Sequence, residues 1–397
     1  MDKILRHLID SAFKMKRPPS EKKPAPSQYS KRQSMLTKFL PPFLFALLLF
    51  SSGCRLSYLF HAAAGQYRLL NGSIPVQKAL DDDILPPDQK ARLLLVAKIK
   101  DFGENELGLQ KTDSYETVFL KSGRQPIYTI SASPKDRLQH KTWDFPIVGK
   151  MPYLGFFDLE KTKKEGKQLS EKNFDVFISM AGAYSTLGWF ADPVTQNLLE
   201  GTTPALVEII LHEMTHTTLY VPSQGAFNES LAVLVGKMGA LKFFEKTFGP
   251  SHPFTLEMKA SIMDERIFSR FMASLMEELN ILYRSKLTYK GKIIQREQVF
   301  ARSLKKFATL KKDFKTDAFS GFGTVPLNNA YILAVGLYHS HFDLFEKALK
   351  KKGGSIKELL LFFKTFSEND EDLIQRTQKW VEEPLFCHRD PEEKEGE

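Results

Sequence analysis

The apolar positions follow two periods along the chain. From Tyr58 to Leu70, and from Pro86 to about Gly103, they recur at helical spacing, and Pro86-Pro87 before Asp88 marks a helix start. Between Tyr115 and Ala181 the runs shorten and fill with β-branched and aromatic residues, so Glu116–Lys121, Pro126–Ala132 and Phe174–Met180 read as strands. Residues 143–158, rich in Pro, Gly and aromatics, read as a packed, irregular connection. Helical spacing then returns. One helix, with Thr203 as N-cap and Pro204 in its first turn, runs through Leu206, Val207, Ile209, Ile210 and Leu211 and stops before Pro222. A second is capped by Asn228 and opens with Glu229. A long amphipathic helix covers Met258 to Lys286, and another starts at Asn328 or Asn329 and runs from Ala330 to about Leu349. The pattern predicts an α+β fold, mostly helical, with a small β-sheet beside the helix that carries His212.

The first 53 residues differ from the rest. They hold ten Lys/Arg against three acids, so +7 of the formal +9 lies there and only +2 on the remainder. That balance speaks against a nucleic-acid partner. Residues 1–38 are polar, basic and Pro/Ser-containing, and disorder is expected. The apolar run Phe39–Phe50 is too short for an ordinary spanning helix but suits a signal-peptide core, with Lys31, Arg32 and Lys38 as its positive flank. Ser51-Ser52-Gly53-Cys54 resembles a lipobox, in which Cys54 takes the lipid; an uncleaved signal anchor is the alternative. Met35 is an alternative start. With two cysteines, Cys54 and Cys387, neither a disulfide framework nor a zinc–cysteine site is expected. Localisation at a bacterial cell envelope, membrane-anchored with the folded part outside the cytoplasm, follows.

The helix from Leu206 carries the chemistry. His212, Glu213 and His216 form an H-E-x-x-H motif, and Glu229 follows thirteen residues after His216. Side chains four apart on a helix stand one above the other, so His212 and His216 can share one ion, while Glu213 lies one step around, within reach of water at that ion. Zinc in hydrolases takes three protein ligands and keeps a fourth position open. A loop through Gly225 and a returning helix bring Glu229 back as the third, and Ala232, Val235, Gly236, Gly239 and Ala240 let the two helices approach closely. A buried histidine pair bonded to backbone is the plain alternative. The loop holding Gly188, Trp189 and Asp192 is a candidate cleft wall, with Trp189 and Phe190 as core plugs the other reading.

Together with F-N-E-S-L-A-V-L-V-G, the motif H-E-M-T-H-T-T-L-Y-V resembles the family of predicted bacterial lipoprotein aminopeptidases, within the gluzincin group of zinc peptidases. Phe145–Gly149 (FPIVG), Gly155–Asp158 (GFFD), Ser185–Phe190 (STLGWF), Asp192–Val194 (DPV) and Leu327–Ala330 (LNNA) look like family strings in the same order, over roughly residues 50–350. The resemblance implies zinc on His212, His216 and Glu229, with Glu213 as base and a peptide as substrate. Tyr338 stands where the family tends to have tyrosine. The expected organisation is a basic segment and signal peptide over 1–53, a helical segment over 54–110, a zincin-like peptidase domain over 111–350, and a C-terminal helix with an acidic tail over 351–397.

In the expected reaction, zinc lowers the pKa of its water, Glu213 takes the proton as water attacks the scissile carbonyl, and the proton passes to the leaving amine. The oxyanion needs a further donor. Tyr338 is the candidate and His339 the runner-up. An aminopeptidase also needs an anion for the substrate's α-ammonium group; Glu208 and Asp192 are the available acids, and the G-x-M-E-N string often used for this is absent. Two other readings stay open: an envelope zinc endopeptidase, and a membrane-anchored binding protein with a non-catalytic zinc site.

Overall fold

The structure is a computed structural model that describes residues 65–82, 85–120, 127–145, 148–180, 191–367 and 371–383. Cys54 and its lipobox, the Phe39–Phe50 run, Gly188, Trp189 and the acidic tail lie outside the described residues. After helical residues 65–71 come β1 (Ile74–Pro75), α1 (Val76–Asp81), α2 (Pro87–Glu106), β2 (Thr117–Phe119), β3 (Tyr128–Pro134), β4 (Trp143–Phe145), β5 (Gly149–Met151), β6 (Tyr153–Phe156), α3 (Leu159–Glu171), β7 (Phe174–Met180), β8 (Val194–Thr195) and α4 (Gln196–Glu200). The remainder is helical: α5 (Thr203–Thr218), α6 (Gly225–Phe248), α7 (Pro253–Arg284), α8 (Tyr289–Leu310), α9 (Asn329–His339), α10 (Phe342–Lys351), α11 (Ile356–Phe366) and α12 (Leu373–Glu382). The fold is α+β and mostly helical. No helix of the described residues is long and apolar enough to cross a membrane.

Three small β units stand where one sheet was expected. In the first, β1 pairs antiparallel with β2, and β2 pairs parallel with β8. In the second, β3 lies between β6 and β7, antiparallel to both, with Ile130 opposite Leu154 on one side and Ile178 on the other. The third is the β4–β5 hairpin, with Trp143 opposite Met151. The connection over 143–158 thus contains regular strand, which its Pro and Gly residues conceal from a reading of alternation. The β6–β3–β7 sheet packs on α9 and α3, and the charges of Glu229 and Glu213 reach Tyr153 on its outer strand β6.

Helix α5 sits in the largest core. Leu206, Val207, Ile210 and Leu211 are fully buried, each worth about 1.5–3 kcal/mol relative to exposure. The N-cap is Thr202, not Thr203: its hydroxyl accepts from Ala205 N, and Pro204 fills the first turn, where its missing N–H costs nothing. The helix ends at Thr218, ahead of Pro222. The Thr217 and Thr218 hydroxyls both donate to the Met214 carbonyl, and Leu219 is already extended. Helix α6 starts earlier than expected, with Gln224 at the cap position. Asn228 lies inside its first turn and serves otherwise: Oδ1 accepts from Val221 N at 2.9 Å and Nδ2 donates to Val221 O at 2.8 Å, fixing the α5–α6 loop. The long helix before Leu349 is two. Asn328 caps α9, accepting from Tyr331 N, and the chain breaks at Ser340–His341, where Ser340 Oγ donates to Gly336 O and Ser269 Oγ accepts from Phe342 N.

Helices α5 and α6 touch along small residues. A methyl on Gly236 would lie 2.8 Å from the Glu208 carbonyl, and one on Gly239 would lie 3.0 Å from Leu211 Cδ1. A second core joins α7, α8 and α9 around Phe268, Phe271, Phe307 and Phe322, and a third fills the β6–β3–β7 sheet around Ile130 and Leu154.

Candidate active site

His212 and His216 lie one turn apart on α5, and Glu229 comes from the second turn of α6. The His212 and His216 Nε2 atoms are 3.2 Å apart, and Glu229 Oε2 is 3.3 Å from the first and 3.4 Å from the second. Three lone-pair atoms therefore form a nearly equilateral triangle. Tetrahedral bonds of about 2.0–2.1 Å to one zinc ion require donor–donor edges of about 3.3–3.4 Å, so the triangle has the size of one face of a zinc tetrahedron. Among the described residues, this His-His-Glu group is the one cluster of three or more His, Cys, Asp or Glu side chains with metal-binding spacing. The donor set fits a divalent ion of zinc's type.

The electrostatics agree with a pre-formed cation site. Burial works against a charge on Glu229, but the neighbouring His216, and hydrogen bonds from both histidines, hold its carboxyl at about 2. Burial also opposes a proton on His216, yet the Glu229 carboxylate and its hydrogen bond, with Glu213 behind them, raise its pKa. His216 Nδ1 is buried and has no hydrogen-bond partner among the described residues.

Three phenols, Tyr338, Tyr220 and Tyr153, stand by the triangle, and the charge of Glu213 reaches a fourth, Tyr115. The Tyr338 ring stacks on His212, centroids 6.3 Å apart and planes at 26°, and its hydroxyl hydrogen-bonds that of Tyr153. Burial, and then the charge of Glu229, lift both phenols well above the ordinary tyrosine range; Glu213 adds to each. Tyr220, whose ring meets the edge of His216, is pushed up to about 12 by burial and Glu229. Tyr115 is raised by burial, then by Glu213 and Asp192. All four stay protonated at neutral pH; the Tyr220 hydroxyl already lies 3.4 Å from the Val148 carbonyl and 3.3 Å from Met151 Sδ, to which it donates.

Glu213 is half-buried, next in sequence to His212, and its charge reaches Tyr115, Tyr153 and Tyr338. Asp192 is buried beside Tyr115. His339 and Glu208 face elsewhere: His339 Nδ1 is 2.7 Å from Glu265, and Glu208 is 3.1 Å from the buried Lys237 ammonium. Of the four phenols, sequence reasoning found only Tyr338. Tyr220 carries a signal, four residues after His216. Tyr153 and Tyr115 carry none, since the β6 strand and the 107–116 loop approach α5 only in three dimensions.

Residues 57–379 match a family model described as putative aminopeptidase. No curated protein and no solved structure matches the chain.

Proposed function

The chain belongs to this aminopeptidase family, and from that premise we propose that it is a zinc-dependent aminopeptidase of the gluzincin type with a zincin-like catalytic domain. His212, His216 and Glu229 are the zinc ligands, and Glu213 is the general base. The observation that carries this reading is the 3.2–3.4 Å donor triangle with a second carboxylate, Glu213, one residue from its first histidine. When bound, zinc supplies Lewis acidity toward the peptide carbonyl and acidifies water.

Glu213 takes a proton from the attacking water as the new C–O bond forms, and delivers it to the amine nitrogen as the C–N bond breaks. The Tyr338 hydroxyl, kept protonated by burial and by Glu229, donates to the carbonyl oxygen as charge gathers on it. Tyr153 restrains Tyr338 through their shared hydrogen bond. Asp192 and Glu213 place two carboxylates on the Tyr115 side of the site, a setting that favours a cationic amino end over a carboxylate. Glu208 is less suited, because Lys237 occupies it. A structural zinc site is closed by a fourth protein ligand; the group here has three members among the described residues, which supports a catalytic site over a binding protein. The N-terminal segment, with Cys54 at its lipobox, anchors the enzyme to the bacterial envelope in this reading.

The test is hydrolysis of a peptide library carrying free or acetylated N-termini. Loss of activity on chelation with recovery on adding zinc, release of single residues from free ends only, and a drop of about 10²–10⁴-fold in E213Q with zinc retained are expected. Chelator-insensitive hydrolysis, or full activity in E213Q, overturns the mechanism. Internal cleavage of blocked peptides makes the enzyme an endopeptidase.

A further inference from the structure

Helices α7 and α8 form a hairpin. Arg302 meets Glu278 at 2.6 Å and Lys306 meets Ser274 at 3.3 Å, so the two run antiparallel, and residues 285–288 join them. The packed part of the hairpin reaches Tyr283 on α7, whose hydroxyl donates to Asn329 Oδ1, and Arg296 on α8, which pairs with the buried Asp175 at 2.7 Å. Beyond these two residues the end of the hairpin leaves the core. At this end Ile281, Leu287, Tyr289 and Ile294 keep 45–61% of their surface exposed. Single exposed apolar side chains are ordinary on a protein; four at one tip are not.

The charges at this end have one sign. Residues 279–295 hold Arg284, Lys286, Lys290 and Lys292 and no acid. The whole chain beyond residue 53 carries only +2, so these four cations exceed its entire balance. Arg284, Lys286 and Lys290 are exposed and make no ion pair among the described residues. Lys292 lies back over the end of α7 and donates to the Tyr283 carbonyl at 2.6 Å. The nearest acids on the hairpin, Glu277, Glu278 and Glu297, stand about 10–12 Å back along the helices, and two of them are engaged, Glu278 by Arg302 and Glu297 by Arg296. The neighbouring α3–β7 turn, whose Asn173 donates to the Tyr289 hydroxyl at 2.9 Å, brings Glu171 and Lys172, which cancel.

We propose that the α7–α8 tip is a docking surface for an anionic lipid bilayer. The exposed apolar side chains all lie within about 8 Å of the end of the hairpin along the helix axes, which matches the depth of about 5–10 Å to which interfacial segments sink. The arginine and lysines lie at the same level, where their stems rest on apolar surface and their heads reach lipid phosphates. Tyrosine suits the boundary between the two, its ring apolar and its hydroxyl wet. A nucleic acid would engage the cations and leave both isoleucines in water. The proposal does not depend on lipid at Cys54.

The test is tryptophan quenching by brominated lipid in the full-length chain, mixed with vesicles of phosphatidylcholine alone or with phosphatidylglycerol added. L287W places the probe at the tip; L361W places it at an exposed apolar position on α11, where Lys357, Glu358 and Lys364 mix the signs. Fluorescence is read relative to the parent chain, whose own tryptophans are common to all variants, and flotation with the vesicles is measured in parallel. Association through the N-terminal segment and seating of the tip are therefore read separately. Quenching of L287W but not of L361W is expected on phosphatidylglycerol vesicles, with loss of that quenching when R284Q, K286Q and K290Q are added and the melting temperature is unchanged. L287W no more quenched than L361W in chains that float with the vesicles overturns the proposal, and leaves the tip to an acidic protein partner. Quenching that survives the three glutamines, or is equal on phosphatidylcholine alone, overturns it too, because the cations would then contribute nothing.

Discussion

The α5–α6 contact makes a sharp prediction at Gly236. A Cβ added there lies 2.8 Å from the Glu208 carbonyl oxygen and 3.3 Å from His212 Cβ, where ordinary contact starts near 3.4 Å. The obstacle is backbone, so no side chain can swing aside, and the helices must part by about 0.6 Å, the difference between contact and overlap, if α6 alone yields. Gly236 lies two turns beyond Glu229 on α6, and Glu208 lies one turn before His212 on α5. Parting the helices therefore lengthens the 3.3 Å and 3.4 Å edges from Glu229 to the two histidines. A metal site tolerates about 0.2 Å, so even a third of the displacement reaches that limit. Zinc affinity in G236A is expected to fall tenfold or more, about 1.4 kcal/mol. Stability changes less, because overpacking of about 1–3 kcal/mol is offset by about 1 kcal/mol of helix propensity gained over glycine. The assay is competition with a chromogenic zinc chelator, beside thermal melts of the metal-free protein. G239A is the control: its methyl meets the Leu107 and Leu211 side-chain tips at 2.9 and 3.0 Å, and those can turn away. Wild-type zinc affinity in G236A, or an equal loss in G239A, refutes the reasoning.

Two further predictions concern stability. Lys237, buried on α6, lies 3.1 Å from Glu208, 3.6 Å from the fully buried Glu265 and 3.0 Å from Ser261 Oγ; K237M leaves Glu265 with His339 and the partly exposed Glu208 to water, and should destabilise by about 1–3 kcal/mol in urea unfolding at pH 7, with no measurable loss counting against the buried-charge argument. Burial lowers His140 to about 4, so the folded state resists a proton that the unfolded chain accepts below pH 6.5; stability is lost as pH falls from 6.5 to 4, by about 2–3 kcal/mol after allowance for solvent screening, and H140F should lack that part of the decline when unfolding is compared at pH 7 and 4.5.

The sequence by itself placed His212, Glu213 and His216 on one helix and Glu229 on the next. An H-E-x-x-H spacing matches the helical repeat whatever surrounds it, so His212 and His216 stand together as soon as α5 forms. The small residues of α6 permit the close approach that brings Glu229 back. Cap positions shifted by a residue at Thr202 and by four at Gln224, because Asn228 satisfies the α5–α6 loop instead of starting a helix. Only the tertiary structure decided which phenols come within reach of Glu213 and Glu229. Tyr115, Tyr153 and Tyr338 are far apart in the chain, and a side chain's distance from Glu213 depends on how a loop, an edge strand and a helix pack against α5. Local spacing carries no record of that packing, and the left-handed backbone that holds Tyr115 is imposed by its bond to Asp192, a residue far along the chain.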